Sequence, residues 1–505
     1  MNNFEENLKL ALSNANRLSG KILIDGKLVS ASTEKKINVI NPSTGEIIGN
    51  VPQCDKNDVN NAVVSAEKAF NKWKLIPARE RGKMVEAGAR RLEEKKREIE
   101  TLLSLDTGNA LRTQAIPETT SSIELTHLFA GLAGELKGET YPPNLTNTIH
   151  YTTRDPIGVV CAIIPWNAPL FLTVAKIAPA IVAGNTVVLK TAEQAPLCAL
   201  LLSEIFQQDL PPGVLNVISG YGEECGEPLI THPKVRKVTF TGSFEVGKII
   251  SQKAAPKLCP VTLELGGKNP NIILSDADLD IAIPGVIDGM RYTRQGQACT
   301  AGSRVYIHEK IFDKVVEGTV NILKKLKMGN ALSEDSDIGA IISEEQLKRT
   351  LFYMDIAKEN PKTNILHGGN RKQGGEFKDG FYYEPTFISG LEVDSRLCQE
   401  EVFGPVACAI PFKSFDEVME SANNTPFGLS AVLWTKDLSR SLEFVEKIEA
   451  GFVQVNQCVA PRANVSYGGL KMSGLGKEYA FDSMMNHFTQ SKTVIINRGR
   501  SNLDE

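Results

Sequence analysis

Apolar residues change their spacing along the amino-terminal third of the chain. Residues 22–29 and 37–53 alternate apolar and polar side chains, which predicts short strands. From Val59 onward, apolar residues recur every three or four positions, and a second run of this kind covers 81–105 and is closed by Gly108. This region is therefore predicted to contain a small β meander followed by amphipathic helices.

The pattern changes between 158 and 275, where short and almost entirely apolar runs alternate with helical segments. Strands that are apolar on both faces and are joined by helices are typical of a parallel sheet. A second alternation of this kind extends from Arg304 to Asn456 and predicts a second α/β domain. The predicted strands are 158–164, 185–190, 213–218 and 236–240 in the first region and 304–308, 405–412, 429–435 and 451–456 in the second, and the helices of the first region are 173–183, 196–207 and 244–255.

Two further strand patterns fit neither sheet. The sequence TIHYTTR (148–154) alternates polar and apolar residues. The run KTVIIN (492–497) is rich in β-branched residues and is followed by SNLDE, which we expect to fray. Because exposed strands of this kind can pair with another chain, we expect a homo-oligomer.

Length and composition narrow the class of protein. The chain has 505 residues, and a prior of about one domain per 100–200 residues predicts roughly three folded units. Its 42% hydrophobic and 23% charged residues are ordinary for a globular protein that is folded almost throughout. The net charge of -4 and a pI near 6.0 provide no global basic field, which argues against nucleic-acid and anionic-membrane partners.

The cysteines and the amino terminus predict the cellular compartment. The nine cysteines form no CxxC motif and no Cys/His cluster, which is typical of reduced, buried thiols rather than of a metal site. The first residues lack a basic region followed by a continuous apolar core, and no apolar run approaches the roughly 20 residues that span a bilayer. We therefore expect a cytoplasmic protein without membrane association.

Cys299 is the strongest candidate for a nucleophile. It lies among small residues in RQGQACTAGSR, where a substrate can approach the thiol closely. The alternative for any of the nine cysteines is an inert, small hydrophobic side chain in the core.

Glu264 and Asn167 are candidates for a general base and an oxyanion donor. Glu264 follows apolar strand residues in VTLELGGK, and a carboxyl group in apolar surroundings has a raised pKa and can act as a base. Asn167 lies between two prolines in PWNAP, where its amide is held rigidly and could stabilise an oxyanion. The alternatives are a glutamate that faces solvent and an ordinary turn residue.

The strand ends of the first α/β region are the candidate site for a nucleotide. Residues 236–247 run from a strand through Gly242 and Ser243 into a helix, whose N–H groups and dipole suit a pyrophosphate. Lys190 and Glu193 follow a neighbouring strand and could hydrogen-bond sugar hydroxyls. An ordinary βα turn and a solvated ion pair are the alternatives, since the usual GxGxxG fingerprint is absent here.

Taken together, these motifs resemble those of the NAD(P)-dependent aldehyde dehydrogenase superfamily. The resemblance covers nearly the whole chain, and the spacings between motifs are comparable to those of the family. The matching motifs, in order, are IPWNAPL, GNTVVLK, FTGS, LELGGKNP, GQACTAGSR, EEVFGPV, NNTPFGLSAVLWT and GGLKMSGLGKE.

The resemblance implies a role for each candidate residue. Cys299 would be the nucleophile, Glu264 the base, and Asn167 the oxyanion donor together with the Cys299 backbone N–H. The implied cofactor-binding residues are Trp166 and Lys176 in the cofactor crevice, Lys190 and Glu193 on the adenosine ribose, Gly242 and Ser243 at the pyrophosphate, Glu401 on the nicotinamide ribose and Phe403 at the nicotinamide.

The resemblance also implies an architecture of two parallel-sheet α/β domains and a small β element for bridging and oligomerisation. The NAD-binding domain would comprise 1–136 and 157–267, the catalytic domain 268–480, and the oligomerisation element 137–156 and 481–505. The implied assembly is a homodimer or homotetramer of an enzyme without a bound metal.

The implied reaction is the NAD-dependent oxidation of a small-molecule aldehyde to the carboxylic acid through a cysteine thiohemiacetal and a thioester. Glu193 predicts a preference for NAD, because its carboxylate would repel a 2′-phosphate, although NADP use stays open. Two competing interpretations are a CoA-acylating transferase and a non-catalytic member of the fold. The presence of Glu264 favours water as the acyl acceptor.

Three residues depart from the family's usual pattern. Tyr467 stands where similar proteins usually have Phe, and its phenol would either add a polar contact in the substrate tunnel or serve only as an aromatic wall. Ala168 and Ala175 stand where many relatives carry bulky aromatic side chains, which predicts a comparatively open tunnel.

Overall fold

Two large sheets form the framework of the computed structural model, which describes residues 3–145 and 147–499. The first sheet has eight strands and the second has seven. Five neighbouring strands of the first sheet and six of the second are parallel, and the antiparallel strands lie at the sheet edges. The predicted α/β architecture with two mainly parallel sheets is confirmed.

The first sheet takes its strands from the amino-terminal half of the chain and from one short return strand. Gly474–Leu475 returns from the second half and pairs antiparallel with Val261–Glu264. In spatial order the strands are Lys27–Val29, Ile22–Ile24, Leu215–Ile218, Thr186–Lys190, Val159–Ile163, Val235–Thr241, Val261–Glu264 and Gly474–Leu475.

The second sheet includes one strand that is not among the predicted strands. Pro270–Ile273 falls within the first predicted alternation, which extended to 275, but it lies inside the second sheet between Arg304–His308 and Ser430–Trp434. An apolar run shows that a strand is buried and not which sheet receives it. In spatial order the strands are Asn364–His367, Thr386–Ser389, Val406–Phe412, Arg304–His308, Pro270–Ile273, Ser430–Trp434 and Phe452–Val455. The predicted domain boundaries themselves stay a prediction.

Helices cover the faces of both sheets. The predicted helical run 81–105 is two helices that meet at Lys95, and Gly108 ends the second of them in the left-handed region at φ 71°. The α-helices are Phe4–Leu18, Lys56–Trp73, Ala78–Glu94, Lys96–Thr107, Ile116–Gly131, Pro169–Val182, Leu197–Gln207, Glu227–Thr231, Phe244–Ala254, Leu279–Met290, Phe312–Leu323, Glu344–Glu359, Arg396–Gln399, Phe415–Asn423, Leu438–Lys447 and Phe481–Phe488. Shorter 3₁₀ and π turns lie at Leu111–Ala115, Leu132–Glu135, Gly222–Gly226, Ala255–Lys257, Tyr292–Arg294, Glu309–Ile311 and Gly375–Phe377.

Each large sheet has an apolar core on both faces, as expected for strands enclosed by helices. In the strand Val159–Ile163, Val160 and Ala162 belong to one buried cluster, whereas Cys161 belongs to the cluster on the opposite face. Two further clusters enclose the second sheet in the same way. Within residues 3–145 and 147–499, no helix is both long enough and apolar enough to cross a membrane.

A three-stranded sheet joins the two segments that fit neither large sheet. Thr489–Asn497 pairs antiparallel with Thr148–Pro156, whose other edge receives Thr140–Tyr141. The two exposed strands therefore pair with each other, which the sequence pattern did not predict. Thr489–Asn497 is an edge strand whose side chains are mostly exposed, so pairing with a second chain stays a prediction. Residues 500–505 of the predicted oligomerisation element, including SNLDE, lie outside the described residues.

Two small hairpin-like sheets complete the strand inventory. Lys36–Ile40 pairs with Ile47–Pro52, as the alternating pattern at 37–53 predicts. Phe427–Gly428 pairs with Leu470–Lys471, which brings the segment before the second sheet's Ser430–Trp434 strand against the glycine-rich segment that follows residue 467.

Candidate active site

Cys299 lies in a loop that is anchored to the segment between the two sheets. The Asn269 side-chain amide donates to the carbonyl oxygens of Cys299 at 2.7 Å and Ala301 at 3.0 Å. Cys299 is half-buried, whereas seven of the nine unpaired cysteines are buried. Its backbone N–H donates to no partner among the described residues. The loop therefore presents both a thiol and an unused N–H group.

The environment of the Cys299 thiol is mostly unfavourable to the thiolate. Burial raises its pKa to about 11, and the carboxylates of Glu401 and Glu264 act in the same direction. The Tyr467 hydroxyl and, to a smaller extent, Arg291 lower the pKa. A partner that stabilises the thiolate is therefore important for any nucleophilic role.

Glu264 ends the strand Val261–Glu264, and the strand direction places its side chain inside the protein. Its side chain is buried, and neither carboxyl oxygen has a hydrogen-bond partner among the described residues. Burial raises its pKa well above the usual value, and the Glu478 carboxylate raises it further, whereas Lys176 and Lys477 oppose the shift. The alternative of a solvent-facing glutamate is excluded.

Cys299 and Glu264 converge on the segment Tyr467-Gly468. The Tyr467 hydroxyl lies 3.4 Å from the Cys299 sulfur. A Cβ atom added at Gly468 would lie 2.6 Å from Glu264 Oε1, so only glycine leaves room for the carboxyl group here. The thiol and the unpartnered carboxyl therefore lie against two consecutive residues.

Asn167 is held at the same site by contacts at both its side chain and its backbone. Its side-chain Nδ2 donates to the Gln297 carbonyl at 3.0 Å, two residues before Cys299. Its own carbonyl accepts from Arg294 at 3.0 Å and from Asn109 at 3.4 Å. An amide nitrogen carries two hydrogens, and the second hydrogen of Nδ2 has no partner among the described residues.

Sequence reasoning did not identify Arg294 and Glu118, which form a buried ion pair behind Asn167. The distance between Arg294 Nη2 and Glu118 Oε2 is 3.1 Å, and the Glu118 side chain is 1% exposed. The other Glu118 oxygen accepts from the backbone N–H of Leu170 at 3.0 Å, at the start of the helix Pro169–Val182. The only sequence feature that could have indicated this ion pair was the charge of Arg294 beside the small residues around Cys299. This pair ties the Cys299 loop to the segment that carries Asn167.

Lys176 is enclosed rather than open to a crevice. Its side chain is 0% exposed, and its ammonium group donates to Glu478 at 2.8 Å and to Thr239 at 3.1 Å. Glu478 was not singled out from the sequence, and its carboxylate raises the pKa of Glu264. The contacts of Lys176 thus connect it to the surroundings of Glu264, and its assignment to the cofactor stays a prediction.

The prediction that Ala175 opens the substrate tunnel is wrong. This residue is 2% exposed and belongs to the apolar cluster around the helix Pro169–Val182. Ala168 is half-buried and packs against the same cluster. A small residue that is already enclosed by its neighbours does not widen a channel. The small size of the Ala175 side chain was therefore not sufficient to predict an open tunnel.

The carboxyl ends of the first sheet's parallel strands carry the residues predicted for a dinucleotide. Gly242 and Ser243 connect the strand Val235–Thr241 to the helix Phe244–Ala254, and Ser243 Oγ caps this helix by accepting from Val246 N at 3.3 Å. The first N–H groups of a helix have no partner within it, and they attract anions. The turn therefore fits a pyrophosphate.

Lys190 and Glu193 lie at the same sheet edge. Lys190 ends the strand Thr186–Lys190, and its buried ammonium group donates to Glu193 Oε1 at 2.8 Å. The two side chains therefore form an ion pair, but its lysine is almost fully enclosed rather than solvated. A carboxylate with one oxygen engaged by lysine keeps its second oxygen as an acceptor for a hydroxyl group.

Glu401 and Phe403 reach this edge from the second half of the chain. Glu401 Oε1 accepts from the backbone N–H of Gly267 at 3.0 Å, and burial raises its pKa to about 7. Phe403 has φ 58° and meets Trp166 edge to face at 5.3 Å between ring centroids. A positive φ is unfavourable for an aromatic residue, and Gln346 supports the strained backbone by donating to the Phe403 carbonyl at 2.8 Å.

The structure thus gathers the predicted residues into two neighbouring groups. Cys299 and Glu264 lie against Tyr467 and Gly468, and Asn167 is bonded to the Cys299 loop at Gln297. Trp166, the neighbour of Asn167 in the chain, contacts Phe403. The second group lies at one edge of the first sheet, where the two parallel strands on either side of Val159–Ile163 end. Its members are the predicted cofactor residues Lys190, Glu193, Gly242 and Ser243.

The chain is similar to known proteins over nearly its whole length. Residues 28–494 match the model of the aldehyde dehydrogenase family. The chain is 39% identical to a phenylacetaldehyde dehydrogenase from Pseudomonas fluorescens, covering 95% of this chain and 96% of the relative. Identity to a rat protein named "Aldehyde dehydrogenase, cytosolic 1" is also 39%, with the same coverage. A crystal structure of betaine aldehyde dehydrogenase from Staphylococcus aureus in complex with NAD+ matches with a TM-score of 0.94 at 34% identity, covering 99% of both chains.

Proposed function

Because the chain belongs to the aldehyde dehydrogenase family, we propose that it oxidises an aldehyde to the carboxylic acid through covalent intermediates on Cys299. The chain is an aldehyde dehydrogenase and uses NAD, in agreement with the similar structures that contain NAD+. The cysteine mechanism is supported by one observation above all. The half-buried Cys299 thiol lies against Tyr467, and the unpartnered Glu264 carboxyl lies against the next residue, Gly468.

The first step is the addition of the Cys299 thiolate to the aldehyde carbon, which gives a thiohemiacetal. Negative charge then develops on the aldehyde oxygen. The free hydrogen of Asn167 Nδ2 and the backbone N–H of Cys299 are the two donors that remain available for this oxygen. Because Gln297, Arg294 and Asn109 hold Asn167 in place, the amide needs little reorganisation as the charge forms.

The residues at the sheet edge fit a nicotinamide dinucleotide. Ser243 and the helix that it caps would hold the pyrophosphate, and Lys190 with Glu193 would hold a ribose. Glu401 would hold the second ribose, and Phe403 and Trp166 would lie beside the nicotinamide. When bound, NAD+ supplies the hydride acceptor for the oxidation.

Glu264 would then activate the water that hydrolyses the Cys299 thioester. A carboxyl group without hydrogen bonds retains both oxygens for a water molecule. Only the ionised carboxylate can accept the proton, and its raised pKa makes it a stronger base once ionised. This unpartnered carboxyl favours water over CoA as the acyl acceptor.

The enzyme is further proposed to be a cytoplasmic homodimer or homotetramer. All nine cysteines are unpaired, which agrees with a reducing compartment. One of the similar proteins is named as cytosolic. Among the described strands, Thr489–Asn497 lies at the edge of its sheet, which supports association with a second chain.

Replacement of Cys299 by alanine tests the proposed mechanism. We expect Cys299→Ala to abolish NAD reduction with every aldehyde in a panel of short aliphatic, long aliphatic, aromatic and cationic substrates, because no covalent intermediate can form. Cys458→Ala is the matched control, since Cys458 is the other half-buried cysteine and should be dispensable. Residual turnover by Cys299→Ala would reject the mechanism, and product release that depends on CoA would favour the acyl transferase.

A further inference from the structure

The side chain of Tyr467 carries a hydroxyl group that lies next to the sulfur of Cys299. The hydroxyl oxygen lies 3.4 Å from Cys299 Sγ. Within residues 3–145 and 147–499, this sulfur is the only hydrogen-bond partner of the hydroxyl. The Tyr467 hydroxyl is therefore directed at the reacting atom of the proposed nucleophile.

The Tyr467 ring has little freedom to move away from the sulfur. It stacks on Tyr479 with 5.0 Å between ring centroids and an interplanar angle of 16°. Phe452 meets its edge at 5.5 Å. The backbone of Tyr467 exchanges two hydrogen bonds with Glu478, at 3.1 and 2.7 Å, and the residue is 2% exposed. Because the ring is already ordered, the contact with the sulfur requires little further loss of conformational freedom.

The direction of the hydrogen bond depends on the state of the sulfur. A neutral thiol and a phenol can each donate to the other, but a thiolate can only accept. Burial raises the pKa of Tyr467 well above its usual value, so the phenol keeps its proton when Cys299 ionises. Hydrogen bonds to ionised groups are roughly twice as strong as neutral ones, and the contact therefore favours the thiolate over the thiol.

We propose that Tyr467 is a catalytic residue that donates a hydrogen bond to the Cys299 thiolate and so increases the fraction of reactive sulfur. This inference rests on the proposed role of Cys299. The proton that leaves the sulfur passes to Glu264 or to water, and Tyr467 retains its own. The other charged groups around the sulfur are the carboxylates of Glu401 and Glu264, which oppose ionisation, and the more weakly acting Arg291.

The test is the pH dependence of Cys299 alkylation by iodoacetamide, with Cys299→Ala providing the background from the other cysteines. In Tyr467→Phe the midpoint should rise by about one pH unit, which is an alkylation rate lowered about tenfold at any pH below both midpoints. The rate at high pH should be unchanged. The value of kcat/KM should show the same shift of its acidic limb.

Tyr479→Phe is the matched control, because it removes a hydroxyl from the other ring of the stack. Among the described residues the Tyr479 hydroxyl makes no hydrogen bond, so its loss should leave the midpoint in place. An unchanged midpoint in Tyr467→Phe, or an equal shift in both variants, would overturn the inference.

Failure of the inference is distinguishable from failure of the proposed function. If Cys299→Ala retains aldehyde oxidation, the function is wrong whatever Tyr467 does. If that variant is inactive and Tyr467→Phe alkylates like the wild type, only the role of Tyr467 is wrong. Tyr467→Phe keeps the ring and its stacking, and a thermal melt shows whether it folds. Titration of the thiolate absorbance in the wild type and in Tyr467→Phe, each against Cys299→Ala, measures the same shift without an alkylating reagent. Equal midpoints in this second measurement would also overturn the inference.

Discussion

Glu264→Gln separates the two half-reactions of the proposed mechanism. Glutamine keeps the size of the side chain but cannot accept a proton from water. The native carboxyl makes no hydrogen bond among the described residues, so the substitution breaks no hydrogen bond of the fold. Steps that precede hydrolysis should therefore continue in the variant.

The expected loss is that of general-base assistance, which is typically worth 10²–10⁴-fold, or about 3–5 kcal/mol in the barrier. Burial and Glu478 raise the pKa of Glu264, so rising pH converts more of the native enzyme to the carboxylate. The ratio of native to variant turnover should therefore increase with pH until Glu264 is fully ionised. The turnover of Glu264→Gln should lack the increase with pH that ionisation of Glu264 causes in the native enzyme.

Rapid mixing with aldehyde and NAD+ provides the assay, with NADH absorbance as the readout. Glu264→Gln should release about one NADH per active site in a fast burst and then turn over slowly, because the thioester forms but is not hydrolysed. Cys299→Ala should show no burst. Normal steady-state turnover by Glu264→Gln would refute its role as the base, and loss of both burst and turnover would show that Glu264 also deprotonates the thiol.

Two further predictions concern the cofactor and the assembly. The native enzyme should have a higher kcat/KM for NAD than for NADP, and Glu193→Gln should lower this NAD-to-NADP ratio by removing the charge that repels a 2′-phosphate. The control is Glu245→Gln, which changes a glutamate on the nearby helix Phe244–Ala254. Equal kcat/KM values of the native enzyme for the two cofactors would contradict the role of Glu193. Deletion of 491–505 should reduce the mass of the assembly measured by light scattering, because it removes most of the edge strand Thr489–Asn497. Ile495→Lys tests the same edge without deleting it, since Ile495 is 64% exposed. An unchanged mass of the assembly in both variants would show that this edge does not join subunits.

Local pattern was sufficient for most of the elements and for the position of each candidate along the chain. Apolar runs such as 185–190 predict buried strands because each residue must be covered on both faces of a parallel sheet. The turn at Gly242 and Ser243 and the end of the strand at Glu264 were predicted from the sequence for the same local reason. The family resemblance then assigned roles that composition and spacing alone left open.

Tertiary structure decided which segments meet. The resemblance assigned 268–480 to the catalytic domain, but only the folded chain shows that Pro270–Ile273 is a strand and which two strands it pairs with. Likewise, 148–154 and 492–497 were both recognised as exposed strands, whereas their pairing with each other depends on contacts across more than half of the chain. Periodicity reports whether a residue is covered and carries no information about the distant residue that covers it.

The same limit applies to the chemistry of the site. Glu118 reaches Arg294 and Leu170, and Tyr467 reaches Cys299, across long separations in the sequence. The residue types alone identified Cys299 and Glu264 as candidates, because a thiol and a carboxyl have intrinsic reactivity. Whether each is ionised depends on burial and on the charges that folding brings near it, and that information exists only in three dimensions.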